Sequence, residues 1–223
     1  GQGSWGMLTV DEVLKRRSAA RRRLPDEESR PLPDRKALLY GRLSSPAQVR
    51  DSEESLSETA ALVDLAVADG FRTSIKREEV VRWLNEIRAG TAQPGIREDG
   101  ELTVVVADLG ISGTLGQERR KGLALLKALL DKKELGAIYV QEVSRLSRDP
   151  DMVEPFLLLK LMKDGKCRVR TPERVLNPHV PRDWEVLRAD FEDARQELKV
   201  LGRRLHRKRT QKAARGEWVG EPV

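Results

Sequence analysis

From Lys36 onward the chain alternates between short apolar runs and longer amphipathic segments, and this alternation limits the fold more than any other feature. "ALLYGRL" (37–43), "LTVVVADLG" (102–110), "AIYVQEV" (137–143) and "KCRVRT" (166–171) have the length and apolar content of strands. "SLSETAALVDLAVADGF" (55–71), "REEVVRWLNEIRAG" (77–90), "ERRKGLALLKALLDKKELG" (118–136) and "DMVEPFLLLKLMKDG" (151–165) carry helical patterns. Ser55 and Glu58 form a capping box for the first of these, and Gly70 ends it. "TAQPGIREDGE" (91–101) reads as a loop. Strands that alternate with helices predict an α/β fold, a mostly parallel sheet flanked by helices.

The two ends of the chain differ from this body. "TVDEVLKRRSAARRRL" (9–24) opens on a Thr9–Glu12 capping box and reads as a short basic helix. "PDEESRPLPDR" (25–35) is proline-rich and reads as a linker. Residues 1–35 are therefore expected to be an extension, and 36–180 the body. From Pro181 to about Glu217, Leu187, Phe191, Ala194, Leu198, Leu201 and Leu205 recur at three- and four-residue steps. That predicts a long helix of ~50 Å within residues 181–223. Residues 199–215 hold many lysines and arginines and no acid. The expected reading is a phosphate partner, contacted by Arg203, Arg204, Arg207, Lys208, Arg209, Lys212 and Arg215.

Composition excludes several chemistries. The single cysteine, Cys167, rules out an intrachain disulfide and a cysteine-rich zinc site, and it reads as a small core residue. His179 and His206 lack ligand spacing, so no metal and no cofactor are expected. The cysteine usage suggests a reducing, intracellular compartment. No apolar run approaches the ~18 residues of a membrane span. There is no GxxxxGK[ST] loop, no GxGxxG and no GxSxG elbow.

The strand ends carry the residues suited to chemistry, because parallel sheets bind ligands beyond the carboxyl ends of their strands. The first end delivers Arg42, Ser44, Ser45 and Gln48, the second "DLGISG" from Asp108, and the third "SRLSR" with Arg145 and Arg148. Arg120 lies on the following helix. Guanidinium forks suit phosphate oxygens and the charge of a phosphoryl-transfer transition state, and a serine hydroxyl can attack phosphorus. Taken singly, each has a plainer reading. Ser44 is a turn serine, Asp108 caps a turn, and Arg145 with Arg148 forms a solvated helix face. Trp184 and Phe191 read as packing residues.

"YGRLSSPAQ", "DLGISGT…RKGLALL" and "VSRLSRD", in this order, resemble the serine recombinases, the group of resolvases, invertases and large serine integrases. The resemblance spans roughly residues 37 to 217, and the C-terminal stretch ending "ARGEW" is most similar to the large integrases and transposases of phages and mobile elements. It implies that Ser44 is the nucleophile of a site-specific DNA recombinase. The strands would be cleaved and rejoined through a 5′-phosphoserine intermediate. Arg42, Arg120, Arg145 and Arg148 would then surround the phosphate, Gln48 would help position the site, and Asp108 would open the second motif loop. Glu197 and Arg204 match polar positions on the long helix. The implied partners are double-stranded DNA and further copies of the chain, a dimer on each site and a tetramer in synapsis. The implied location is cytoplasmic, in a bacterial or phage-encoded setting.

The pattern departs from that family in three places. Ser144 stands where many small resolvases have an aspartate, which leaves the general acid open, with an arginine as one choice. Residues 72–101 look enlarged, as a surface insertion. The chain ends just past the long helix, where large members continue into further DNA-binding domains, so a catalytic fragment is expected. Two other readings remain open: a non-catalytic DNA-binding or regulatory module with the same fold, and a phosphodiesterase.

Overall fold

The computed structural model describes residues 30–43, 53–108, 115–146 and 153–216. Its strands are β1 (Lys36–Leu43), β2 (Gly95–Glu98), β3 (Leu102–Asp108), β4 (Leu135–Tyr139), β5 (Arg168–Arg170) and β6 (Val175–Leu176). They form one six-stranded sheet in the order β2-β3-β1-β4-β5-β6. The four central strands are parallel, and the two outer strands pair antiparallel. The helices are α1 (Glu53–Ala68), α2 (Arg77–Arg88), α3 (Leu115–Asp131), α4 (Val153–Asp164) and α5 (Pro181–Ala214). Among the described residues no helix is long and apolar enough to cross a membrane.

The two-residue period of the strands divides the core into two layers. Ala37, Leu39, Leu102, Val104, Val106, Ala137 and Tyr139 pack with Leu56, Val63, Trp83 and Leu84 of α1 and α2. Leu38, Tyr40, Val105 and Ile138 pack with Leu126, Leu130, Leu158, Met162, Leu187 and Phe191 of α3, α4 and α5. The first half of α5 thus belongs to the core. Cys167 is fully buried, and burial pushes its thiol well above the ordinary range. Trp184 packs against the core and lies 5.2 Å from the Lys163 ammonium. Phe191 is buried, so both aromatics serve packing.

Several expectations are corrected. Residues 72–101 do not lie wholly at the surface. Within them α2 buries Val80, Trp83 and Leu84, and residues 95–98, expected in a loop, form the edge strand β2. Its exposed side chains, three of four positions, removed the apolar signal of a strand. Strand β6, two residues long, was equally invisible. Ser55 is not a cap, because α1 begins two residues earlier at Glu53, which puts the Ser55 carbonyl within reach of the Thr59 hydroxyl at 3.1 Å. The Thr9–Glu12 capping box lies outside the described residues.

The end of the expected linker lies against the body. A Cβ on Gly136 would sit 2.0 Å from the Leu32 carbonyl oxygen, and Arg35 donates to the Gly165 carbonyl at 2.6 Å. Residues 30–35 are therefore strapped across the start of β4.

Asp99 closes the turn between β2 and β3. One carboxylate oxygen accepts the Thr73 hydroxyl at 2.6 Å and the Ser74 N–H at 2.6 Å. The other accepts the N–H groups of Glu101 and Leu102 at 3.0 and 2.8 Å. Burial pulls the carboxyl upward, but these donors outweigh it and hold the group far below the carboxylate range. A depressed folded pKa stabilises above the unfolded value of about 3.9 and loses that effect as pH falls. Asp99→Asn is expected to destabilise by about 1–2 kcal/mol at pH 7. In urea titrations the gap to the wild type should narrow steadily from pH 5 to pH 2; a constant gap would contradict the ionised-acceptor role.

Candidate active site

β1 lies between β3 and β4, and all three run in one direction. Their carboxyl ends therefore meet at one edge. Arg42 pairs in register with Ala107, and Leu43 with Asp108. Past the end of β4 the chain folds into a 3-10 turn, Val143–Arg145, at that same edge. Buried Val143 and Leu146 pin this turn into the core. The turn is also tied to α1, since Gln141 Nε2 donates to the Ser55 carbonyl and to Glu58 Oε2, each at 3.4 Å.

The expected site residues divide into three groups. Ser44, Gln48 and Arg148 lie outside the described residues. Arg42, Asp108 and Arg120 are placed by their backbones, the first two at the ends of β1 and β3 and the third on α3. Arg145 is placed with its side chain, mostly buried at 24% exposure. Its Nε lies 4.0 Å from Glu142 Oε2, and the Ser144 hydroxyl donates to the same oxygen at 3.3 Å. Glu142 was missed from sequence. A lone acid two residues before a Ser-Arg pair is too common a pattern to stand out.

Two motif glycines explain how helices approach this edge. A Cβ on Gly122 would fall 2.7 Å from Val105 Cγ1. A Cβ on Gly41 would fall 3.0 Å from Thr59 Cγ2. Gly41 precedes Arg42, and Gly122 stands two residues after Arg120. Arg42 and Arg120 are thus near points where a helix and the sheet approach closely, at Gly122 more closely than a Cβ allows without a shift and at Gly41 at the limit.

Beside the turn, a groove of about 220 Å³ runs between Glu142, Ser144, Glu173, Arg174, Asp190 and Asp193. Arg174 is paired with Asp190. Burial pushes the Asp190 carboxyl up, Arg174 opposes it, and Asp193 adds to it. Four carboxylates and one guanidinium line this groove. Among the described residues no group of three or more His, Cys, Asp or Glu is placed to hold a metal ion.

Along α5, Arg203, Arg204, Arg207, Lys208, Arg209, Lys212 and Arg215 are all exposed. Every position from 206 to 216 is exposed. Nothing is described of the Glu197 side chain.

The family model described as Resolvase, N terminal domain, matches residues 92–218. The chain belongs to the resolvase family. The matched unit is the catalytic domain of serine recombinases. Comparisons with curated proteins and with solved structures find no match. The resolvase match takes in β2 through α5, and with them Asp108, Arg120, Arg145 and Arg148. It starts beyond Arg42, Ser44 and Gln48. The strand that leads to Ser44 is nonetheless hydrogen-bonded on both sides to strands inside the resolvase match.

Proposed function

We propose that this resolvase-family chain is the catalytic part of a site-specific DNA strand transferase with Ser44 as nucleophile. The observation that carries the reading is the register of three parallel strands. It supports bringing the Arg42–Ser44 segment, Asp108 and the Arg145 turn to one edge, although the first is separated from the others by more than fifty residues. In the two-residue period of β1, position 42 follows Leu38 and Tyr40, the face covered by α3 with Arg120.

The reaction balances without an external energy source. Ser44 Oγ gives up its proton and bonds to phosphorus, and the bond from phosphorus to the 3′ oxygen breaks. That oxygen takes a proton and leaves as a free 3′ hydroxyl. The 5′ phosphate stays on serine as an ester. Attack by a 3′ hydroxyl on this ester reverses the step and reseals DNA. Arg42, Arg120, Arg145 and Arg148 act as fixed cations that stabilise the pentacoordinate charge, Gln48 positions the segment, and Asp108 anchors the second loop. A tetramer of the dimers bound at two sites would supply the second pair of ends. The test is to trap the adduct on DNA carrying a nick beside the cleavage point and to map the linked residue. Recovery of rejoined strands separates a transferase from a phosphodiesterase, which leaves nicks.

The alternative is a DNA-binding or regulatory module without chemistry. That reading yields no covalent adduct at any residue.

The exposed end of α5 supplies the non-specific part of DNA binding. Each phosphate neutralised contributes about 0.9 to the slope of log affinity against log salt. Arg207→Gln, Lys208→Gln and Arg209→Gln together are expected to lower that slope by about 2–3. Fluorescence anisotropy across a salt series checks this; an unchanged slope would place the DNA elsewhere.

A further inference from the structure

The sheet's other edge holds a second concentration of cations. There β5 begins and α3 and α4 end. A cavity of about 360 Å³ is lined by Lys166, Arg168, Asn177, His179, Val180 and Pro181. It presents an ammonium, a guanidinium, an amide and an imidazole, and none of these six residues is a carboxylate. Arg168 is 92% withdrawn from solvent, at 8% exposure. Its Nη1 donates to the Lys166 carbonyl, which fixes guanidinium and lysine to one turn. Asn177 Oδ1 accepts the His179 N–H at 3.0 Å, which sets the plane of the amide. Burial depresses the Arg168 pKa, Cys167 opposes this and the neighbouring Arg35 adds to it.

The backbone supplies an independent observation. Among the described residues other than glycine, only Lys133 and Lys166 have positive φ, at 57° and 55°. Each follows a helix end, where its N–H closes on the carbonyl three residues back. Glycine is the residue that such a left-handed position favours, because it has no Cβ to crowd the carbonyl. The chain instead keeps a lysine at both. Lys133 lines an adjoining cavity of about 500 Å³ that shares His179. There Asp131 and Asp164 accompany Lys133 and Lys163 in the lining. No carboxylate is among the six residues that line the smaller cavity; Asp183, which is not one of them, accepts the Asn177 N–H at 2.9 Å and pairs with Arg182.

We propose that the smaller cavity binds a phosphate-class oxyanion through Lys166, Arg168, Asn177 and His179, at the edge of the sheet opposite the cleavage edge. Arginine and lysine supply the charge, and the amide and imidazole supply directed donors. The phosphate is either free or part of a DNA backbone. The site needs none of the strand-transfer chemistry, so its test is separate from that of Ser44.

The experiment compares the full chain with Lys166→Gly and Lys133→Gly by thermal unfolding in orthophosphate and in sodium chloride of equal ionic strength. Both substitutions relieve the left-handed backbone, so neither should impair folding, and each should raise Tm in chloride. Orthophosphate is expected to raise the wild-type Tm by a further 2–4 °C or about that. Lys133→Gly should keep this increment, and Lys166→Gly should lose most of it. Binding of a short duplex is then measured for both variants across salt concentrations. A lower salt slope for Lys166→Gly alone assigns the phosphate to DNA; an unchanged slope with a lost orthophosphate increment assigns it to free phosphate. If the wild type shows neither an orthophosphate increment nor a slope that depends on Lys166, or if the two variants respond alike, the site does not exist.

Discussion

Ser44→Ala is expected to abolish the covalent protein–DNA adduct and to lower strand cleavage by at least about 10⁴-fold. Ser45→Ala should leave most activity in place. The asymmetry follows from what each change removes. In the proposed mechanism the Ser44 hydroxyl is the group that holds the 5′ phosphate, so its removal leaves the broken bond nowhere to be stored. The proposed arginine cluster is untouched by the change, and affinity for DNA is expected to change little. The measurement is denaturing electrophoresis of protein with nicked DNA, next to anisotropy for binding. Cutting and rejoining by Ser44→Ala would remove the nucleophile assignment. Loss of DNA binding in the same variant would mean that folding, not chemistry, had failed.

Gly122→Val is expected to destabilise the fold by about 3 kcal/mol and to suppress recombination at temperatures where the protein remains folded. Val105 is buried and β-branched, so it cannot swing clear of a new Cβ placed 2.7 Å away. The helix must lift from the sheet instead, and Arg120 moves with it. Gly122→Ala sets two effects against each other. Helix propensity favours alanine by about 1 kcal/mol, and overpacking costs about 1–3 kcal/mol. The expected balance is a net loss, recovered in part by Val105→Ala, which makes room. A double-mutant cycle in urea should therefore show coupling between the two positions. If Gly122→Ala stabilises the protein by its full propensity, the close approach of α3 to β3 is wrong.

The sequence revealed those parts of the fold in which burial is two-sided or periodic. β1, β3 and β4 are covered on both faces, so they appear as unbroken apolar runs. β2 could not be found in this way. It faces solvent along most of its length, and only pairing with β3 makes it a strand. Helix starts were harder to read, as Ser55 shows, because a capping box fits many serines that lie inside a first turn. The site was legible as three motifs but not as contacts. Glu142 touches Ser144 and approaches Arg145 only because a 3-10 turn folds that stretch back, and nothing in residue type announces the turn. The two motif glycines, Gly41 and Gly122, are contact points between helix and sheet, which their place in a motif does not reveal.

The strap formed by residues 30–35 has a practical consequence. It crosses the chain at Gly136 and runs near Gly70 and Gly165, at the edge of the sheet where β4 begins. A fluorophore or surface tether placed on residue 30 itself therefore sits at the edge of the sheet opposite the carboxyl ends of β1, β3 and β4. A probe there would leave the edge that carries Arg42, Asp108 and the Arg145 turn uncovered.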